Sequence, residues 1–472
     1  MARVLLVLPP APAHYVVPPV GLGYLASSLR RAGISEVAIL DGQKDRLTRS
    51  SFKEILLREK PDFVGIQIFS SGFTTSCRAA QIVKETLPGT IVVVGGPHVT
   101  ATAERVLLDL PEADYGFLGE AEEGLPVLVG QDLQHIAGAL AGIPGLIYRE
   151  GKGIRVNERA IVSELEALGF PAWDLMPPNS YPDSPQGAFY RNFPIAPVLT
   201  SRGCPYECTF CGSPVNMTRH YRTRPIAHVL DEVELLHRQY GVGEIHIIDD
   251  MFSLQKQRVM DFCNGLEDRK LHISYTFPNG LRLNSLDREM LLRMKQTGAY
   301  AFTVGIESGS DRVLQAMKKG LTTDFIRRQV TLITECGLEP SGFFILGFPG
   351  ETREDMAATM RFSRSLPLKR AHFSNYLPLP GTESARRLYE SGEVQPGNWD
   401  ELAYYEVPYA PQGIEKAELK RLQRKAFLQF HLRPRILLKL LLEVRSFRHL
   451  RSLLYRARDY LFLRGKRGGF LD

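Results

Sequence analysis

Apolar positions fall into two alternating patterns along most of this chain. Short apolar runs occur at Arg3–Leu8, Val37–Leu40, Phe63–Phe69, Thr90–Val94 and Tyr115–Leu118. Runs of that length bounded by turn residues read as buried strands. Between them, Val20–Ala32, Phe52–Glu59, Ser76–Thr86 and Thr102–Leu108 carry helical spacing, the first ended by Gly33. This alternation predicts a parallel sheet in a doubly wound α/β domain. A second alternation begins near Arg191. Ile195–Thr200, Glu244–Ile248, Ser274–Phe277, Ala301–Gly305 and Ser341–Leu346 read as strands. Pro225–Gln239, Val259–Leu266, Arg288–Thr297 and Thr323–Glu335 read as helices, with Ile226, Val229, Leu230, Val233 and Leu236 on one face. Polar or glycine-rich residues at each strand's C-terminal end describe a (β/α) barrel, whose chemistry sits on that face.

The stretch between the two is irregular. Gly145–Val156 predicts a hairpin around Glu150–Gly153, and Leu168–Pro178 is rich in proline. It reads as an ordered linker with Trp173 packed at the junction. The expected organisation is residues 1–135, a linker over 136–190, a barrel over 191–395 and a helical region over 396–472.

Charge adds one feature. Lys416 to Asp472 holds 16 Lys and Arg against 4 Asp and Glu, a net +12, so the rest carries −6 of the total +6. Ile414–His431, a helix opened by Pro434 and running through Leu442, and Phe447–Leu463 make up this tail. Arginine-rich amphipathic helices suit an anionic membrane surface or packing on the protein's own body. No nucleic-acid recognition motif accompanies the charge. The chain enters directly on Arg3 and a strand, so no secretory signal is expected. It has no apolar run long enough to span a membrane. Six cysteines, three of them clustered, do not form a disulfide framework, and a cytoplasmic protein is the expectation, with membrane contact through the tail one of its two readings.

The clustered thiols are Cys204, Cys208 and Cys211, in Ser201-Arg-Gly-Cys-Pro-Tyr-Glu-Cys-Thr-Phe-Cys-Gly212. Three thiols within eight residues can face one inorganic core. A cubane iron–sulfur cluster normally takes four thiolates. A loop offering three leaves one iron open to a substrate or co-substrate. A zinc site or three unrelated buried thiols are the plainer readings. Zinc sites favour two separated ligand pairs, and Cys77, Cys263 and Cys336 are isolated.

The C-x3-C-x2-C spacing, with Phe210 before the last cysteine, resembles the radical S-adenosylmethionine (radical SAM) superfamily. The resemblance implies a [4Fe–4S] cluster on Cys204, Cys208 and Cys211, whose open iron chelates S-adenosyl-L-methionine and cleaves it to a 5′-deoxyadenosyl radical. It also implies an external electron donor of flavodoxin or ferredoxin type. Position by position, Phe210, Asp250, Arg282, Glu307, Ser308 and Pro349 are then expected around S-adenosylmethionine.

The N-terminal domain resembles the cobalamin-binding domain, of Rossmann or flavodoxin-like fold, that precedes many radical SAM barrels. Asp41, Gln43, Ser70, Ser71, Gly95, Gly96, Gly119 and Glu120 lie at its strand ends, where ligands of such sheets bind. Gln43 stands where related mutases have a cobalt-binding histidine, which implies cobalamin without a lower histidine ligand. The function expected from the resemblance is methylation of an unactivated carbon through methylcobalamin and the radical. Rearrangement, cyclisation or oxidation of a lipid- or pigment-like substrate is the alternative, and a cobalamin-responsive binding protein is an alternative of another class. No residue is singled out as a general acid or base.

Overall fold

The structure is a computed structural model that describes residues 2–11, 16–131, 139–183, 190–403, 406–444, 447–462 and 470. Its first sheet has seven strands: β1 (Val4–Leu8), β2 (Val37–Asp41), β3 (Phe63–Gln67), β4 (Ile91–Gly95), β5 (Tyr115–Phe117), β6 (Leu146–Glu150) and β7 (Gly153–Val156). Their order is β2-β1-β3-β4-β5-β6-β7. β1 to β5 run parallel in the flavodoxin-like arrangement. Leu5 and Val7 enter one apolar core with Phe52 and Leu56, while Val4 and Leu6 enter a second with Leu22 and Leu29. Helices on both faces explain why these strands are continuously apolar.

The helices are α1 (Val20–Arg31), α2 (Arg49–Glu59), α3 (Phe73–Thr86), α4 (Pro97–Thr102), α5 (Arg105–Asp109) and α6 (Gly124–Val129). α2 starts earlier than its apolar pattern suggests because Thr48 and Ser51 form a reciprocal capping box.

The hairpin expected in the linker belongs instead to the sheet. β6 pairs antiparallel with β5, and β7 with β6. Ile147, Tyr148 and Leu146 are buried against the same cores, so the hairpin extends the N-terminal layer. The expected boundary at 135 lies outside the described residues.

In the second half, β8 (Ile195–Val198), β11 (Glu244–Ile247) and β12 (Ser274–Thr276) form one parallel sheet. β13 (Ala301–Glu307), β14 (Glu339–Leu346) and β15 (Arg370–Asn375) form another. Parallel bridges Tyr275–Ala299 and Leu281–Val304 join them, completing an open six-strand barrel wall. β9 (Ser201–Arg202) and β10 (Arg222–Thr223) make a small ribbon beside β8, spanning the cysteine loop and α7 (Ser213–Met217). α8 (Ile226–Tyr240), α9 (Lys256–Asp268), α10 (Arg288–Gln296), α11 (Asp311–Ala316), α12 (Thr323–Glu335), α13 (Arg353–Ser365) and α14 (Glu383–Glu390) follow.

The tail forms α15 (Lys416–His431), α16 (Pro434–Leu442) and α17 (Phe447–Phe462). α15 lies along β15, where Gln423 bonds the Asn375 side chain and donates to the Phe373 carbonyl. No helix among the described residues is long and apolar enough to cross a membrane.

Two buried polar clusters lock the halves together. Glu120, in the loop after β5, accepts two hydrogen bonds from Arg222 at 2.7 and 2.8 Å and one from the Val162 amide at 2.8 Å. Arg202 pairs with Glu120 at 3.2 Å and Glu122 at 2.6 Å. Arg202 and Arg222 are the two arms of the β9–β10 ribbon. In the second cluster, Arg224 pairs with Glu232, which also accepts from Trp173 Nε1 at 2.9 Å. Trp173 thus packs at the junction, in one core with Val20, Tyr24 and barrel residues Val233 and Leu236.

Burial alone pushes the Glu120 carboxyl up, but the Arg222 hydrogen bonds and the charges of Arg202 and Arg222 outweigh it and hold it below its ordinary value. A depressed carboxylate stabilises the fold above its unfolded pKa, and that contribution is lost as pH falls through the folded value. Glu120→Gln should cost about 3–5 kcal/mol, the range for breaking a buried pair, and should flatten the acid limb of stability against pH in urea titrations. An unchanged midpoint and acid limb would show that the cluster does not hold the halves.

Candidate active site at the cysteine loop

The loop begins where β8 hands over to the ribbon. Asp249, fully enclosed at the end of β11, accepts from the Thr200 amide at 2.6 Å, Thr200 Oγ1 at 2.5 Å and Ser201 Oγ at 2.6 Å. Gly203 follows with φ +89°, and a Cβ there would strike the His220 carbonyl at 2.2 Å. Only glycine takes this turn cheaply. Asp250 accepts from Ser213 Oγ at 2.6 Å, closing the far end of the loop. The acidic pair therefore braces the thiol loop from both ends. Asp250, expected beside S-adenosylmethionine, has this bracing contact.

Cys204, Cys208 and Cys211 are each half-buried. They lie close enough that Cys208 acts electrostatically on both others. Burial pushes the Cys211 thiol up to about 11 and also raises that of Cys204. No group of three or more His, Cys, Asp or Glu among the described residues gathers round a single ion. A multi-iron core binds one thiolate per iron, and a soft set of thiols suits it.

Arg282, placed by the loop after β12, reaches across to this loop. Its Nη1 donates to Cys208 Sγ at 3.5 Å, its Nε donates to Asn284 at 2.9 Å, and its Nη2 donates to the Lys319 carbonyl. Its Cζ lies over the Tyr206 ring, 3.6 Å from the centroid. The guanidinium is thus engaged with the cysteine loop itself. Glu307 closes β13 with φ +67°, a strained setting for a non-glycine residue. Its carboxylate is paired with buried Lys319 at 2.8 Å. Gly305 makes room for that pair, since a Cβ would meet Glu307 Oε1 at 2.5 Å and Lys319 Nζ at 2.7 Å.

The other expected residues have contacts within the barrel. Ser308 is buried and bonds Thr359 Oγ1 at 3.1 Å. Phe210 packs against Tyr376, Phe348 and Leu388. Pro349 is half-buried in a loop tied by Glu351, which accepts from the Gly347 and Phe348 amides at 2.5 and 3.0 Å.

The N-terminal edge divides in the same way. Asp41 accepts from the Gln43 and Lys44 amides at 3.0 and 3.1 Å, and Gln43 Oε1 accepts from the Ala11 amide at 3.1 Å. Asp41 closes its own turn, while Gln43 reaches the chain after β1. Gly96 lies against the Ile68 backbone, and Gly119 against Arg159, whose Nε a Cβ would meet at 2.2 Å. Glu120 belongs to the ionic cluster. Ser70 Oγ lies 3.0 Å from His98 Nδ1. Burial lowers the His98 imidazole to about 4. Gly95 opens outward, with nothing within 4 Å of a Cβ placed there, and Ser71, at the turn after β3, is half-buried.

These two edges meet. α4, after β4, packs on α7, after the cysteine loop. Arg159 bridges them, its Nη1 donating to the Val215 carbonyl at 2.7 Å. Arg159 Nε and Nη2 and Asn216 Oδ1 are buried without a partner among the described residues. Buried polar atoms of this kind require a partner, and they lie where a polar cofactor held between the halves would supply one. Sequence reasoning missed Arg159, Lys319 and Asn216. Only the glycine at 119 hinted at a bulky neighbour, and it was read as room for a ligand.

The radical SAM superfamily model matches residues 198–363 and the B12 binding domain model residues 11–129. An uncharacterized methyltransferase of Pyrococcus horikoshii is 34% identical over 94% of this chain and 96% of its own length. The anaerobic magnesium-protoporphyrin IX monomethyl ester cyclase of Rubrivivax gelatinosus is 25% identical over 88% of this chain and 75% of its own. Among solved structures, the radical S-adenosylmethionine methyltransferase TsrM of Kitasatospora setae, with cobalamin and a [4Fe-4S] cluster bound, superposes with TM-score 0.67 and 22% identity, covering 89% of this chain and 82% of that one. The cobalamin-dependent S-adenosylmethionine radical enzyme OxsB with aqua-cobalamin bound superposes with TM-score 0.74 and 17% identity, covering 98% of this chain and 72% of that one.

The geometry predicts how the metal-free thiols react. Iodoacetamide labelling of Cys211, followed by peptide mass spectrometry, should rise with pH only toward about 11, because the thiolate is the nucleophile. Labelling that saturates near the ordinary thiol pKa of about 8.5 would show that Cys211 is not enclosed as described.

Proposed function

Because the chain belongs to the radical S-adenosylmethionine enzymes that carry a cobalamin-binding domain, we propose that it transfers a methyl group to an unactivated carbon of a small organic substrate. The observation that supports this reading best is near-full-length similarity to a protein named as a methyltransferase. The enzyme's cofactors are a [4Fe–4S] cluster, S-adenosyl-L-methionine and cobalamin. When bound, the cluster supplies the electron that cleaves S-adenosylmethionine, and cobalamin carries the methyl group to be transferred.

In this proposal Cys204, Cys208 and Cys211 hold the cluster. Arg282 donates a hydrogen bond to the Cys208 sulfur, and such bonds set cluster potentials. The buried Lys319–Glu307 pair adds fixed charge beside it, and Asp249 and Asp250 hold the loop in register. Ser71, Gly95, Arg159 and Asn216 line the cobalamin side. Gln43 turns its carboxamide to the Ala11 amide, which supports cobalamin bound without a lower side-chain ligand. The packed α4–α7 contact holds the two edges together. The partners proposed are an apolar, lipid- or pigment-like substrate and a flavodoxin or ferredoxin as electron donor, in the cytoplasm.

The cyclase relative makes ring closure the competing chemistry. Methyl-labelled S-adenosylmethionine separates the two. Transfer of label into product is expected, and a changed skeleton without label would replace methylation with cyclisation. Alanine at any one of the three loop cysteines should remove cluster absorbance and reductive cleavage together. Arg282→Gln should keep the iron content but shift the cluster midpoint to lower potential in EPR-monitored titrations, because a donor to the thiolate is lost. An unchanged midpoint would leave Arg282 with the loop alone.

A further inference from the structure

The strongest feature outside the site is the outer face of the tail. α16 has two faces. Ile436 is 5% exposed and enters the barrel core, Leu440 packs beside it, and Glu443 at the C-cap pairs with Lys369 and Arg370 beneath β15. Positions 436, 440 and 443 fall on one side of a helix. That side is anchored by core packing and by ion pairs, so the orientation of the helix is set.

The opposite side carries Leu437, Leu438, Leu441 and Leu442, which are 43, 60, 55 and 78% exposed. They span about 140° of the helical wheel at 3.6 residues per turn. Leu432 before the helix is 63% exposed, and Phe447 and Leu454 on α17 are 81 and 61% exposed. Elsewhere the exposed large apolar side chains are spread thinly along the chain, which is ordinary for a protein surface. Here they are consecutive on one helix, and such concentration marks an interaction surface.

Charge selects the partner. Arg435 and Lys439 are exposed and follow the leucine face along one edge. The tail from Lys416 onward has 16 cations against 4 anions, while the rest of the chain is net negative. A second copy of this chain would bring the same cations against themselves. An anionic bilayer takes leucines below its headgroups and long cationic side chains among them.

We propose that the Leu437, Leu438, Leu441 and Leu442 face of α16 is a monotopic docking surface for anionic lipid bilayer, with Arg435 and Lys439 at the headgroups. The enzyme then works at a membrane surface without spanning it. Such attachment combines apolar insertion with electrostatic attraction, and the electrostatic part is screened by salt. The proposal needs no cofactor, so it stands or falls apart from the methyl-transfer reading.

The test is co-sedimentation of the full reconstituted chain with vesicles of phosphatidylcholine alone or with one-third phosphatidylglycerol, at low and high salt. Binding to the anionic vesicles and release in high salt are expected. Leu438→Gln with Leu442→Gln, and separately Arg435→Gln with Lys439→Gln, should each weaken partitioning by roughly tenfold. Their melting temperatures and S-adenosylmethionine cleavage should be unchanged, because none of these side chains touches the core or the cysteine loop. Equal recovery with both vesicle types, or variants that partition like the parent, would overturn the proposal. Concentration-dependent dimers abolished by the leucine variants, with no vesicle binding, would overturn it in favour of a second copy.

Discussion

The architecture depends on one buried ionic cluster. Glu120 and Glu122 come from the loop after β5, and Arg202 and Arg222 from the ribbon that brackets the cysteine loop. All four side chains are under 10% exposed. Charges removed from water at such cost persist only with near-complete pairing. Burial would lower the Arg202 guanidinium, yet Glu122 and Glu120 hold it raised. An apolar core shared by Val20, Tyr24, Trp173 and barrel residues also joins the halves. The cluster, with the Arg224–Glu232–Trp173 group beside it, adds the directional contacts that fix which edge of one faces the mouth of the other.

From that constraint the site follows. The cysteine loop is gripped at its base by Asp249, at its end by Asp250 and Ser213, and on its flank by Arg282. The ribbon that carries it is tied to the N-terminal domain. A chemistry that moves a group between two bound cofactors requires the reacting centres to be held in fixed relation. Here the scaffold, rather than any single acid or base, supplies that relation, in keeping with cofactor enzymes where the protein positions and the cofactor reacts.

Much of this was legible in the sequence. Period and turn residues marked β1–β5 and five of the six barrel strands, but not β15, whose Arg370, His372, Ser374 and Asn375 break the apolar run. The thiol spacing marked the loop because three metal ligands so close in sequence have few other uses. Local pattern failed where partners are distant. The hairpin over Leu146–Val156 looked like a linker because edge pairing to β5 has no signature in its own residues. Asp41, Glu120, Glu307 and Ser308 stood at strand ends and were read as ligand contacts. In the structure Asp41 accepts from its own turn, Glu120 joins the ionic cluster, Glu307 pairs with Lys319 and Ser308 bonds Thr359. Strand-end position predicts exposure to the barrel mouth, but hydrogen-bonding partners more than 10 residues away decide whether a side chain has capacity left for a ligand.

The central claim is that the two halves are locked so that the cluster side and the cobalamin side face each other across the α4–α7 contact. Pulsed EPR on enzyme loaded with reduced cluster and cob(II)alamin measures it most directly. The account predicts strong dipolar coupling with a single narrow distance, broadening in Glu120→Gln. Weak coupling or a broad distribution in the unaltered enzyme would contradict it.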